Sequence, residues 1–233
     1  MASFDVTSLT DQTVVVTGGS SGLGAAVVTT LLAAGAEPHV LDLRPPEGDV
    51  PHRLVDLAEP GAAQHAVADL VGDRPVRAVV TAAGTDACGR LDDIPAEAWD
   101  RVVAVNLLGT AAVVRACLPR LGERADIVTV ASTLGLRALS DATAYCASKF
   151  GVVGFTRALA RELSGQHRVT LVMPGGMDTA FFDARTEQYR PGADTKLADP
   201  RRVAELIVAA IGLPPDIEVK ELLVGPPAES SWP

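Results

Sequence analysis

The sequence predicts an α/β fold, a doubly wound parallel β-sheet of about seven strands flanked by helices. Three observations carry the expectation. Short runs rich in Val and other β-branched residues alternate with longer Ala- and Leu-rich stretches, at intervals that suit βαβ units with right-handed crossovers. The first run, Thr13 to Thr17, passes at once into a glycine turn, Gly18 to Gly24, and then into a helical stretch. Hydrophobic residues make up 48% of the 233 and aromatics only 4%, so Ala, Val and Leu must build a core suited to strands buried on both faces.

Each element has its own signal. The helix after the glycine turn stops at Gly35, and Glu37 to Asp42 follows as a second strand. Pro45, Pro46 and Gly48 mark a loop, His52 to Val55 a third strand, and Ala58 to Val71 a helix. Arg77 to Ala82 reads as the fourth strand, ending at Ala83-Gly84, with a loop holding Asp86, Cys88 and Gly89 behind it. Pro95, at a first-turn position that tolerates proline, opens a long helix through Asn106 and Gly109 to Arg115 or Leu118. The fifth strand, Asp126 to Ala131, runs into Ser132, and a helix after Asp141 extends to Leu163. A sixth strand, His167 to Met173, breaks at Pro174-Gly175-Gly176. Irregular helical structure over Asp178 to Tyr189, a helix from Pro200 to Ile211 and a strand from Glu218 to Val224 complete the pattern. One domain over residues 1–233 is expected, with a core over 13–224, a lid over 178–198 and a loose tail over 226–233.

Composition narrows the function classes. A net charge of -9 argues against nucleic acid or an anionic membrane as partner. The amino terminus lacks the basic start and apolar run of a secretory signal, and no apolar stretch is expected to reach the ~18 residues of a membrane span. Cys88, Cys117 and Cys146 are widely spaced, so free thiols in a reducing cytoplasm are expected, with neither a disulfide nor a metal site. The four histidines, His39, His52, His65 and His167, lack ligand spacing and read as structural.

The chemistry concentrates at Tyr145-Cys146-Ala147-Ser148-Lys149, with Ser132 thirteen residues upstream. On a helix, Tyr145 and Lys149 share one face, which sets a phenol beside an ammonium. The neighbouring positive charge is expected to pull the phenol down from its ordinary value toward neutrality and ready it for proton exchange. At the other end, the glycine turn between strand and helix lets backbone amides approach a pyrophosphate at a helix amino terminus. Asp42, eighteen residues beyond Gly24, ends the second strand where an acid accepts hydrogen bonds from an adenosine ribose. That favours NAD(H) and repels a 2′-phosphate; Arg44, read as a solvated loop charge, leaves NADP(H) as the alternative.

In order and spacing these residues resemble the short-chain dehydrogenase/reductase family from Thr13 to about Val224. The points of resemblance are Thr17-Gly-x-x-x-Gly-x-Gly24, Asp42, Asp56-Leu57, Ala82-Ala83-Gly84, Asn106, Ser132, Tyr145-x-x-x-Lys149 and Pro174-Gly-x-x-x-Thr179. The resemblance implies a Rossmann-like domain and an NAD(P)-dependent oxidoreductase that interconverts a secondary alcohol and a ketone. Tyr145 would be the proton donor or acceptor, Lys149 would hold the nicotinamide ribose, Ser132 the substrate oxygen, and Asn106 a relay water. Gly18, Ser21, Gly22, Leu23 and Gly24 would line the pyrophosphate, Asp42 the adenosine ribose, and Asp56 with Leu57 the adenine. Ala82, Ala83 and Gly84 would flank the cofactor, as would Pro174, Gly175 and Met177, with the Thr179 hydroxyl on the carboxamide. Asp56 also reads as a cap for the next helix, and Met177, Phe181 and Phe182 either face the cleft or cover the core.

Two departures from the family pattern stand out. Ala82 occupies a position where asparagine often supports the central strand. The carboxyl end lacks the glycine-rich acidic ending of acyl-carrier-protein ketoreductases and looks more like that of members acting on small hydroxy acids or aldehydes. Gly151, Gly154, Ala158 and Ala160 on the Tyr145 helix permit close helix approach, and the resemblance implies a homodimer or homotetramer through that helix. The rival readings are a cofactor-binding sensor or scaffold without turnover, an NADPH-dependent ketoreductase, and an epimerase or dehydratase on the same site.

Overall fold

The computed structural model describes residues 8–192, 194–228 and 232. The expected amino-terminal segment therefore lies largely outside the described residues, as does half of the expected loose tail. Trp232 is described, and the Arg137 guanidinium carbon stands 5.4 Å from its ring centroid.

Seven parallel strands form one sheet in the order β3-β2-β1-β4-β5-β6-β7. The strands are β1 (Thr13–Thr17), β2 (Glu37–Asp42), β3 (His52–Leu54), β4 (Val76–Thr81), β5 (Leu121–Val130), β6 (Arg168–Pro174) and β7 (Glu221–Val224). Side chains alternate across it: Val14 and Val16 enter one apolar layer, and Val15 between them enters the other. Helices α1 (Gly22–Ala33) and α6 (Pro200–Ile211) cover the first layer with Val27, Leu31, Ile207 and Ile211. Helix α2 (Ala62–Val71) and helix α4 (Thr110–Cys117) cover the second with Val67, Leu70, Val113 and Val114. Each such side chain, once buried, contributes about 1.5–3 kcal/mol.

The strand order reverses between β1 and β4, which lie side by side although β2 and β3 intervene in the chain. The connections after them leave on opposite sides, so the sheet's carboxyl edge opens into a crevice at that point. Every chemically interesting residue lies on or near that edge.

Some boundaries differ from expectation for identifiable reasons. Helix α2 begins at Ala62, because Asp56 closes a turn on the Ala58 amide and Gly61 takes a left-handed φ of 78°. Asp56 thus caps a turn, not the helix. Strand β5 starts at Leu121, but a register shift precedes the Asp126 pairing with Ala78, and regular pairing begins at the expected residue. The long helix after Pro95 divides into α3 (Ala96–Val103), a π-helical turn over Ala104–Gly109, and α4. Taken as one span, Ala96–Arg120 is long and apolar enough to cross a membrane, contrary to expectation, yet 44% of its most apolar window is buried inside the protein. It is a core helix.

The opposite edge of the sheet is tied by ions. Asp126, 2% exposed, accepts from Arg168 at 2.8 and 2.9 Å and from Arg77. The two guanidiniums in turn donate to the Ile211 carbonyl that ends α6 and to the Leu213, Pro214 and Ile217 carbonyls of the segment after it.

Candidate active site

The crevice has a volume of about 720 Å3 and is lined by every residue expected at the site except Gly24 and Asn106. Its glycine turn is tight for steric reasons. Gly18 has φ 71°, and a Cβ there would stand 2.8 Å from the Ala83 backbone. Gly24 does not line the cleft as expected: a Cβ on it would lie 2.1 Å from the Gly18 carbonyl, so it serves the packing of α1 onto the turn. The result is a concave floor of backbone at the α1 amino terminus, whose first amides lack helical partners. That cradle fits a pyrophosphate.

At the end of β2 the Asp42 carboxylate accepts the Ser20 amide at 3.0 Å and the Arg44 amide at 3.2 Å. One residue thus fixes the Ser20 and Arg44 segments on either side of this end of the cleft, which it lines. The Arg44 residue lines the same end. Farther out, the Ala58 amide at 2.9 Å and the Arg101 guanidinium at 2.9 Å hold the Asp56 carboxyl below the usual carboxylate range, against some desolvation.

The catalytic end rests on helix α5 (Thr143–Glu162), whose first turns carry Tyr145 and Lys149 beneath Ser132 at the end of β5. The Tyr145 hydroxyl is hydrogen-bonded with Ser132, whose own oxygen also accepts the Leu134 amide at 3.1 Å. Lys149, 4% exposed, donates to the Val130 carbonyl at 3.0 Å, and its Nζ lies 5.5 Å from the Tyr145 ring centroid.

The electrostatics overturn one expectation. Tyr145 is not drawn toward neutrality: desolvation, and then the Asp86 carboxylate, push its phenol well above the usual range, against the opposing pull of Ser132 and Arg185. Lys149 does not counter this. Its amine is turned to the strand carbonyl beside the ring, and burial brings Lys149 itself down to about 8.

Asn106 is 1% exposed and sits in the π-helical turn, which rotates it inward. Its Oδ1 accepts the Thr85 amide at 2.8 Å, and its Nδ2 donates to the Thr85 carbonyl at 2.9 Å and to Ser148 at 3.0 Å. Asn106 is thus placed behind the cleft wall, clamping the loop after β4 to α5, rather than lining the site. The job expected of an asparagine at Ala82 is shared elsewhere. The Thr17 hydroxyl accepts the Ala83 amide at 3.1 Å, and Ala82 packs into the apolar layer.

The far wall is apolar. Met177, Phe181 and Phe182 all line the cleft, with Phe181 5.7 Å from Tyr145 and 5.7 Å from Phe182 between ring centroids. The Thr179 hydroxyl, expected on a carboxamide, accepts the Phe181 amide at 3.4 Å and caps a short 3-10 turn (Ala180–Phe182). Sequence reasoning missed the pair that closes this wall: Arg185 donates to Asp86 at 2.5 Å across 99 residues of chain. Only an acid just past Gly84 and an arginine in the segment expected to form a lid hinted at it. Among the described residues no group of three His, Cys, Asp or Glu could hold a metal, and the three cysteines are unpaired.

Comparison with known proteins agrees with this architecture. The family described as short chain dehydrogenase matches residues 12–190. An uncharacterized oxidoreductase of Staphylococcus aureus is 31% identical, over 95% of this chain and 100% of its own. The 2-(S)-hydroxypropyl-CoM dehydrogenase 3 of Xanthobacter autotrophicus is 31% identical over 90% of this chain and 87% of its own. A short chain dehydrogenase of Burkholderia cenocepacia, solved with NADP, superposes with a TM-score of 0.80 at 27% identity over 93% of this chain and 97% of its own. The ligand-free aldohexose dehydrogenase of Thermoplasma acidophilum shares the fold, at a TM-score of 0.84 and 23% identity over 94% of each chain. With the family match, the sequence relatives and the seven-stranded sheet in agreement, this chain belongs to the short-chain dehydrogenase/reductase family and is an NAD(P)-dependent oxidoreductase.

Proposed function

We propose that the protein interconverts a secondary alcohol and a ketone with NAD(H), using Tyr145 as general acid and base. The observation that carries this is the Tyr145 hydroxyl hydrogen-bonded with Ser132 at the inner end of a dinucleotide-sized cleft, one helical turn from Lys149. When bound, the nicotinamide supplies or accepts the hydride at C4. The chain's own residues do the rest. Ser132 holds the substrate oxygen where negative charge grows, and Tyr145 gives that oxygen a proton in reduction or takes one in oxidation. Lys149 orients the nicotinamide ribose, and Asn106 keeps the Thr85 loop and α5 in register. Asp42 accepts from the adenosine ribose hydroxyls and favours NAD(H) over NADP(H). A relative whose name states a 2-hydroxypropyl substrate supports a secondary alcohol.

Residues 178–198 form the lid. A homodimer or homotetramer through α5 is supported by exposed Phe150, Gly154 and Ala158 on one stripe; Gly151 instead admits Leu107 of the same chain, and Ala160 packs inward. Unpaired cysteines suit the cytoplasm.

Fluorescence titration with NADH and NADPH, followed by a panel of ketones and alcohols with the tighter cofactor, tests the reading. Stoichiometric cofactor consumption is expected, and its loss in Tyr145→Phe. Dinucleotide binding without turnover of any panel member would point to a sensor instead.

A further inference from the structure

The Asp86–Arg185 pair is more than a fastening between the loop after β4 and the lid. Both residues line the cleft, and their side chains are only 6% and 19% exposed. Arg185 lies over the Phe182 ring at 4.6 Å and the Phe181 ring at 5.5 Å, and Phe181 faces Tyr145. The guanidinium spends Nη2 on Asp86 and Nη1 on the Tyr189 carbonyl at 3.2 Å. Its Nε is buried with no hydrogen-bond partner. Leaving a charged donor unsatisfied in such a place is costly. The Asp86 carboxylate accepts Ala87 N–H at 2.8 Å, the Cys88 thiol at 3.1 Å and Arg185, three of its roughly four acceptor positions. A donor without a partner and a spare acceptor position thus belong to one ion pair in the cleft wall, and the Phe181 ring that packs on Arg185 also faces Tyr145.

We infer that Asp86 and Arg185 select a substrate carrying a neutral hydroxyl on the carbon next to the carbinol or carbonyl, a vicinal diol or hydroxyketone, in preference to a plain alcohol or a hydroxy acid. This rests on the alcohol–ketone reading above and adds the substrate class. One hydroxyl satisfies both open positions, accepting from Arg185 Nε–H and donating to Asp86. A carboxylate does not fit. Its fork needs two guanidinium N–H groups in one plane, but Nη2 is taken by Asp86, and that same buried anion repels it. A methyl group in the same space leaves Nε unsatisfied, the arrangement by which a polar pocket rejects an analogue lacking the hydroxyl.

Three probes share one carbinol and differ only at the neighbouring carbon: butan-2-ol, butane-1,2-diol and 2-hydroxybutanoate. The full-length protein is assayed with NAD+ for kcat/KM, and the dissociation constant of each probe is measured calorimetrically on protein saturated with NADH. The diol is expected to exceed butan-2-ol by about tenfold or more in both, with the hydroxy acid weakest. In Arg185→Leu the ratio of diol to butan-2-ol should fall to about one, a comparison within one preparation that a lowered folded fraction does not move. In Asp86→Asn the hydroxy acid should gain on the diol by about tenfold. Equal or inverted ratios in the unaltered protein, an unchanged ratio in Arg185→Leu, or binding of none of the probes overturns the inference. Binding with the expected ratios but no turnover leaves the pocket assignment standing and defeats the alcohol–ketone reading.

Discussion

The proposal that Asp42 favours NAD(H) is tested by Asp42→Asn. In the native chain both Asp42 oxygens accept backbone amides, from Ser20 and Arg44, so the side chain is fixed at the end of β2 and holds its negative charge at the ribose end. A 2′-phosphate placed there carries nearly two further negative charges. At roughly 5 Å, and with an effective dielectric of about 40 for a site open to solvent, each pair of charges repels by about 1.7 kcal/mol. Two charges give about 3 kcal/mol before screening by salt, which corresponds to about a hundredfold in affinity, and to about tenfold once screening has halved it. Asparagine removes the charge and retains one acceptor oxygen, so the turn loses a single bond. Once Asp42 no longer opposes it, the Arg44 guanidinium becomes a partner for the phosphate. The ratio of NADPH to NADH dissociation constants, measured by nicotinamide fluorescence at fixed ionic strength, should therefore move ten- to a hundredfold toward NADPH. Native protein that binds NADPH more tightly than NADH, or a ratio that shifts less than about threefold in the variant, would refute the electrostatic reasoning.

Other consequences are sharper in kind than in number. Tyr145→Phe removes the proton-transfer group while leaving the ring against Phe181, so kcat should fall by about a hundredfold or more with dinucleotide affinity nearly unchanged. Because burial and Asp86 hold the Tyr145 proton well above the usual phenol range, while Lys149 titrates near about 8, ketone reduction should be level below pH 8 and decline above it. Alcohol oxidation, which needs the tyrosine to accept a proton, should rise with pH through the alkaline range. Reduction that rises above pH 8, or oxidation that falls there, in the kcat/KM profiles would contradict this assignment. Asp126→Ala leaves two largely buried guanidiniums without their anion at the edge remote from the cleft, and should cost about 3–5 kcal/mol in a denaturant melt, with kcat per folded molecule preserved.

The legible part of this protein was the part governed by local rules. Val14 to Val16 between a glycine turn and a charged start allow only a buried strand. Pro200 after Asp199 defines the beginning of α6 to the residue, because proline suits the first turn and Asp199 Oδ1 accepts the Arg201 amide at 2.9 Å. The glycine turn, Asp42, Ser132, Tyr145 and Lys149 fell into one cleft for the same reason: each ends a strand or begins a helix at the carboxyl edge, and the parallel topology collects those ends. What depended on three dimensions was not readable. Gly151 looked like a surface for a partner helix, yet a Cβ there would meet Leu107 at 2.6 Å inside the chain. Nothing in Ala104–Gly109 announces a π-helical turn, since its effect is to bury Asn106 against a loop twenty-one residues away.

The Tyr145 acidity illustrates the same divide at the level of energy. A four-residue spacing correctly brings phenol and amine to one face, and from that alone attraction between phenolate and ammonium follows. Whether it dominates depends on what else crowds the two groups. Here the Lys149 amine is spent on the Val130 carbonyl and is brought down to about 8 by burial, while Asp86 adds a negative charge from the loop after β4. Arg185, arriving from the lid, offsets part of that charge. Desolvation remains the largest influence on the Tyr145 proton, and the Asp86–Arg185 pair adjusts it, the carboxylate raising the phenol and the guanidinium lowering it.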